Sequence, residues 1–239
     1  MEKGTILVIE NNTEIRETIR LLLQAENYRI LEAGTGKYGL ELLTQQTDLV
    51  ILEIEMPDMC GIRICEEIRK RSTVPILLLT AGKLEDKSLS ALAAGGDDYL
   101  VRPFSCTEIL GRVKALIRRY QIYQGKDDRI MPEEKEYLEL SGIRIFRNAN
   151  RVFVRGKEIS LTDLEYQILR LLMQNPGKIF SARNLYESIW GESYSYTCSS
   201  TVMVHIRRLR VKIEKNPQIP EYINTIWGRG YRFEQRRFV

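Results

Sequence analysis

Glu10, Asn11, Glu53, Thr80 and Arg102 are polar residues that each close a short apolar run. The runs are TILVI (5–9), DLVIL (48–52), VPILLL (74–79) and DDYLV (97–101). They have the branched, apolar character that a strand buried on both faces requires. A carboxylate such as Glu53 at the tip of a buried strand is costly unless it has partners, because desolvation penalises its charged form. Acid, amide, hydroxyl and cation gathered on one edge would form a single polar site. A second constellation lies near the C-terminus. Val202, Ile206, Leu209 and Ile213 repeat at intervals of four, three and four, the stripe of a helix packed on a core. Around them stand Thr201, His205, Arg207, Arg208, Arg210 and Lys212. A helix with one apolar stripe and a cationic remainder fits the major groove of B-DNA, where Arg reads guanine or clamps phosphates.

Elements must position these residues. Between the first runs lie amphipathic stretches, Ile15, Ile19, Leu22 and Leu23, then Tyr38, Leu42 and Leu43; after the last come Ile109, Leu110, Val113, Leu116 and Ile117. The alternation predicts an α/β domain over residues 1–120, a doubly wound sheet of five parallel strands with right-handed crossovers. Such sheets carry their sites at the carboxyl ends of the strands. Residues 121–136 are polar and aperiodic, a linker. From 137 to 239 the pattern changes to α+β. YLEL, IRIF, RVFV and KEISL alternate apolar and polar residues and read as a small antiparallel sheet. Thr162 with Glu165 three residues on is a capping-box helix start, Ser181 opens a second helix, and a third spans about 199–215. EYINTI and YRFEQ flanking WGRG form a hairpin, so the domain is a helix-turn-helix with a wing.

Composition is that of a globular chain, with 44% hydrophobic and 28% charged residues. No apolar run spans a bilayer and the N-terminus lacks the features of a signal peptide, so no membrane partner and a cytoplasmic location are expected. Cys60, Cys65, Cys106 and Cys198 show no C-x-x-C spacing, which excludes the usual zinc and disulfide frameworks. The net charge of +4 is unevenly spread: residues 1–120 hold 16 Lys+Arg against 18 Asp+Glu, whereas residues 197–239 hold 9 against 3. That basic C-terminal segment predicts double-stranded DNA as a partner.

TILVIENN, LVILEIEMPDMCG, LLLTAG and GGDDYLVRPFS resemble, in order, the receiver domain of two-component response regulators. The resemblance implies an acidic pair and an Asp that together hold Mg²⁺, phosphorylation of that Asp by a histidine kinase, and a Thr and a Lys that bind the phosphoryl group. This chain has Glu10 and Asn11 for the pair, Glu53 for the acceptor and Arg102 for the Lys; Thr80 is unchanged. The amide removes a charge that a hard cation needs. The longer Glu displaces the carboxylate in a reaction governed by placement, and a planar fork replaces an ammonium. No cofactor is therefore expected, and no kinase is needed. Glu53 is either a permanent stand-in for the phosphorylated residue, paired with Arg102 near Thr80, or part of a vestigial pocket. A conventional phosphorylated regulator and a redox-responsive one acting through Cys60 and Cys198 are the alternatives. The resemblance also implies that Tyr99 couples the pocket to a face made by helix four, strand five and helix five. There Asp97, Asp98, Glu108, Arg112 and Arg119, with Lys87 nearby, would form a symmetric homodimer.

The remainder, with ISLTDLEYQILRLLMQNPGKIFSARNL, IWGESY, STVMVHIRRLRVKIE and INTIWGRGYRF, resembles the effector domain of OmpR/PhoB-type regulators. The resemblance implies phosphate contacts from Trp190, His205, Arg207, Arg210, Thr225 and Tyr231, and a base contact from Arg208. Thr201 and Met203 also fall on this helix; Met203 stands where the family often has Asp and could meet a thymine methyl. In the wing, Trp227 occupies the place of the Arg that enters the minor groove. The expectation is that Arg229 takes that role while Trp227 packs.

Overall fold

The computed structural model describes residues 2–81, 85–123, 137–146, 151–191 and 198–235. The chain divides into two compact units, Met1–Gln121 and Ile122–Val239, each described by itself.

The first unit alternates β1 (Thr5–Ile9), α1 (Thr13–Ala25), β2 (Arg29–Ala33), α2 (Gly36–Leu42), β3 (Thr47–Glu53), α3 (Gly61–Arg69), β4 (Ile76–Thr80), α4 (Glu85–Ala94), β5 (Asp98–Val101) and α5 (Cys106–Tyr123). All strand pairs are parallel, in the order β2-β1-β3-β4-β5. This is the expected doubly wound sheet. Every residue of β3 and of β4 is buried, which explains their uninterrupted apolar character. The fifth strand, β2, has the sequence RILEA and lies at the edge, partly exposed; a strand covered on fewer sides needs fewer apolar residues, so no apolar run marks it. The strand order reverses between β1 and β3, and the crevice at such a switch point opens at their carboxyl ends. The turn after β3 is tight: a Cβ on Gly61 would meet Ile54 Cα at 2.7 Å, so the chain can leave Glu53 and enter α3 only through a residue without a side chain.

The second unit opens with β6 (Tyr137–Leu140), β7 (Ile143–Phe146), β8 (Val152–Val154) and β9 (Lys157–Ile159), an antiparallel meander. Then come α6 (Asp163–Gln174), β10 (Ile179–Phe180), α7 (Ala182–Trp190), α8 (Cys198–Ile213), β11 (Ile223–Ile226) and β12 (Gly230–Phe233). The capping box at Thr162 and Glu165 is present, and the Ser181 side chain accepts from the Asn184 N–H at the head of α7. The wing is a hairpin of β11 and β12, to which the short strand β10 adds on the other side. Gly230, at φ +132°, passes so close to Phe180 that a Cβ would lie 2.0 Å from its carbonyl oxygen. The hairpin can therefore dock on β10 only with glycine there. Helix α5 runs to Tyr123; the remainder of the expected linker, 124–136, lies outside the described residues.

Candidate functional site

Four of the five strand-end residues meet in the switch-point crevice or line it. Glu10 is 0% exposed, Glu53 2% and Thr80 1%. One guanidinium nitrogen of Arg102, Nη2, donates to Glu10 Oε2 at 2.5 Å and to Glu53 Oε2 at 2.6 Å. The other oxygen of each carboxylate accepts a main-chain N–H from the loop that follows its own strand, Asn12 to Glu10 Oε1 and Glu55 to Glu53 Oε1, both at 2.9 Å. Each acid is thus held by a local turn and by a shared cation. Burial pushes the Glu53 carboxyl above the usual carboxylate range; the Glu55 N–H and Arg102 oppose that, and the neighbouring Glu10 charge reinforces it. Thr80 Oγ1 and Arg102 Nε have no hydrogen-bond partner among the described residues. Asn11 is exposed and does not join the cluster. The residues present do not fit the Mg²⁺ ion that the family resemblance implies. The carboxylate oxygen that each acid could offer a hard divalent cation is already bonded to Arg102.

Members of the charged set expected at a dimer face have partners within the chain. Asp97 is buried and bonded to Arg69 Nη2 at 2.6 Å and to the Ile76 N–H at 2.8 Å, which makes it a support for the start of β4. Asp98 and Arg112 pair with each other within the chain at 2.7 Å, and Arg119 is buried. Glu108 accepts from Ser105 N and Oγ at the head of α5. Tyr99 is half-buried. The side chain of Lys87 lies outside the described residues, as does that of Cys198. Cys60 is exposed and free at the head of α3.

In the second unit, α8 presents one open face, Met203, Arg207 and Val211 at successive intervals of four. Met203 is 52% and Val211 62% exposed. Val211 has no place among the expected contacts, although its spacing from Arg207 marks it. Several residues expected at DNA are buried or paired within the domain. Trp190 is 1% exposed and stacks on Tyr186 at 4.9 Å between ring centres. His205 is buried with its ring 5.4 Å from that of Trp190, and Thr201 is buried as well. Arg208, expected to read a base, lies with Nε 3.0 Å from Glu165 Oε1, and Lys212 Nζ is 2.6 Å from Glu165 Oε2. Arg210, expected at a phosphate, donates to Ile223 O at 2.7 Å and to Thr225 Oγ1 at 2.9 Å. Tyr231 is half-buried, opposite Thr225 across the hairpin.

Glu165 is the unexpected centre of this unit. It is fully buried, accepts the Thr162 N–H at 3.0 Å as the helix cap, and faces two cations of α8. Burial would raise its pKa, but Arg208, Lys212 and the cap together hold it below the usual range. Glu214, at the end of α8, accepts from the N–H groups of Glu221, Tyr222 and Ile223 at 2.7 to 3.0 Å and so sets where β11 begins. An acid directly following a basic helix was the available signal for Glu214.

The wing tip holds the clearest departure from expectation. Trp227 does not pack; it is 90% exposed. The three-residue turn 227–229 closes with Arg229 N–H donating to Ile226 O at 2.9 Å, and Gly228 takes φ +70°. At this exposure Trp227 has no core around it. Arg229 is exposed beside it.

Comparison with known proteins agrees with this arrangement. Residues 6–114 match the family described as response regulator receiver domain, and residues 156–233 match transcriptional regulatory protein, C terminal. The chain is 48% identical to the transcriptional regulatory protein YrkP of Bacillus subtilis (strain 168), over 95% of this chain and 97% of that one. It is 36% identical to the regulatory protein VanR of Enterococcus faecium, over 96% and 98%. Among solved structures, a C128D mutant of RitR superposes with a TM-score of 0.74 at 26% identity, covering 98% of this chain and 100% of that one. A five-stranded parallel domain whose crevice gathers acids, followed by a winged helix, matched over nearly its whole length by such relatives, belongs to the OmpR/PhoB-type response regulators, a family of transcriptional regulators.

Proposed function

We propose that this regulator binds specific double-stranded DNA as a homodimer and does so without phosphorylation of its receiver domain. The observation that carries the second part is the Arg102 bridge between Glu10 and Glu53. A guanidinium bonded to both acids supplies from within the chain the positive charge that a metal ion would bring, and Glu53 holds Arg102 with a permanent carboxylate instead of a transient phosphoryl group. Pairing is through the face of α4, β5 and α5, the location is the cytoplasm, and a histidine kinase is not required. No described helix is long and apolar enough to cross a membrane, in keeping with that location. The test is incubation with acetyl phosphate and Mg²⁺. The expected result is no stable phosphoprotein and unchanged operator affinity; a phosphorylated Glu53, or tighter binding after treatment, would restore the conventional switch. A peroxide-treated sample in the same experiment separates a second reading, redox control, which the exposed Cys60 thiol favours: constant binding removes it.

For the DNA face, the open stripe of α8 enters the major groove with Arg207 at a phosphate or guanine and with Met203 and Val211 against thymine methyls. Arg229 serves the wing. Arg207→Ala and Arg229→Ala are each expected to weaken binding and to lower the slope of log affinity against log salt by about 1, as expected for one lost phosphate contact. Arg208→Ala should leave base preference intact and reduce domain stability, because Arg208 is engaged by Glu165. Binding titrations at several salt concentrations check all three.

A further inference from the structure

The wing tip carries a large aromatic plate that neither the fold nor the groove-reading helix uses. A tight turn favours Gly, Asn or Asp, yet its first residue is Trp227, 90% exposed. Arg229 stands exposed two residues away, in a segment, 197–239, that holds 9 basic against 3 acidic residues. The strand leading to the tip is anchored: Arg210 bonds β11 at Ile223 and Thr225, and Glu214 accepts the Tyr222 and Ile223 N–H groups. A cationic projection ending in an indole suits one occupant best, the polyanionic minor groove beside the major groove that α8 reads.

We infer that Trp227 is an apolar wedge that enters the DNA minor groove edge-on and opens a base step, with Arg229 pairing the adjacent phosphate. An aromatic ring is thin enough for a groove about 6 Å wide, and apolar side chains inserted there unstack a step and bend the duplex toward the major groove. The steps that yield most easily are pyrimidine–purine ones, so the wing adds a preference for a deformable step. The inference rests on the DNA-binding reading above.

The chain supplies its own probe. It has two tryptophans, of which Trp190 is 1% and Trp227 90% exposed, so quenching by acrylamide in the free protein reports Trp227. The probe DNA is a duplex selected from a random pool by the unmodified protein, and copies with 2-aminopurine at successive steps report unstacking. Saturating DNA is expected to protect Trp227 from acrylamide and to raise 2-aminopurine emission at one step. Trp227→Ala, a change at an exposed turn that leaves the core untouched, is expected to abolish that emission and weaken binding about tenfold, the scale of one lost aromatic stack, while binding through Arg207 persists. Trp227 remaining as quenchable in the saturated complex as in the free chain would overturn the wedge, and so would an unstacked step in the Trp227→Ala complex. If the unmodified protein selects no DNA at all, the DNA-binding reading fails and the wedge with it.

Discussion

Arg102→Ala is expected to destabilise the receiver domain by about 3 to 5 kcal/mol, the range for removing one partner of a buried ion pair. The reason is the arrangement around Arg102. Glu10 and Glu53 are both almost wholly buried and both bonded to the same nitrogen of Arg102, so its loss leaves two adjacent carboxylates facing each other without a cation. One of them would take up a proton or water would enter the crevice, and either relaxation sets the loss below the full Coulomb value. The variant carries a second, more specific expectation. With the internal cation gone, the two acids become available to an external one, and millimolar Mg²⁺ should recover part of the lost stability. A metal present at tenfold excess over its dissociation constant would return about 1.4 kcal/mol. The unmodified chain should show no such response. Urea denaturation of both proteins with and without Mg²⁺ decides the matter: a loss under about 1 kcal/mol, or equal Mg²⁺ dependence in the two, would mean that the bridge does not neutralise the crevice.

Glu165→Ala should cost the effector domain about 3 kcal/mol or more. Three functions end together: the cap on the Thr162 N–H at the head of α6, and the counter-charge for Arg208 and Lys212 on α8. A lost cap alone is worth about 1 kcal/mol, and the rest comes from leaving cations beside a buried, empty site. The variant should unfold at lower urea with unchanged m-value, and its DNA affinity should fall only as the folded fraction falls. A change of less than about 1 kcal/mol would show that the helices dock without the ion pairs. Acid titration gives an independent check with a fixed sign. The Glu165 carboxyl is held below its usual value, so its contribution is present above the ordinary glutamate range and is lost as pH falls through the lowered value. Glu53 acts in the opposite sense: its pKa is raised, so its contribution is fullest in acid and is lost as pH rises through the elevated value. Mild acid should therefore weaken the second unit through Glu165 while relieving the penalty on Glu53 in the first.

Most of the architecture was legible because it depends on periodicity. The four strands of the first unit that carry apolar runs, the capping box at Thr162 and the hairpin around WGRG all follow from local pattern. The strands β2 and β10 were not, since RILEA is a half-exposed edge and IF is too short to carry a period. In the crevice, the partnership of Glu53 with Arg102 could be read from residue type; that Glu10 shares the same nitrogen could not, because it depends on how two loops turn. The proposed DNA face was the least legible part. Position on a basic helix assigns charge but not direction, so Arg207, Arg208 and Arg210 looked alike, and only packing separates the exposed one from the two that hold Glu165 and the wing. Trp227 failed for the converse reason: an aromatic residue suggests a core, and at the wing tip it has none around it.

The bonds from Arg210 and Glu214 to β11 have a mechanical consequence. Because Arg210 lies near the end of α8 and Glu214 directly follows it, helix and hairpin behave as the two jaws of a caliper whose gauge is set during folding. On the DNA contacts proposed above, a duplex whose successive grooves are slightly out of phase would carry the mismatch as twist in the nucleic acid. Sequences between the two proposed contact points would then be sorted by torsional stiffness.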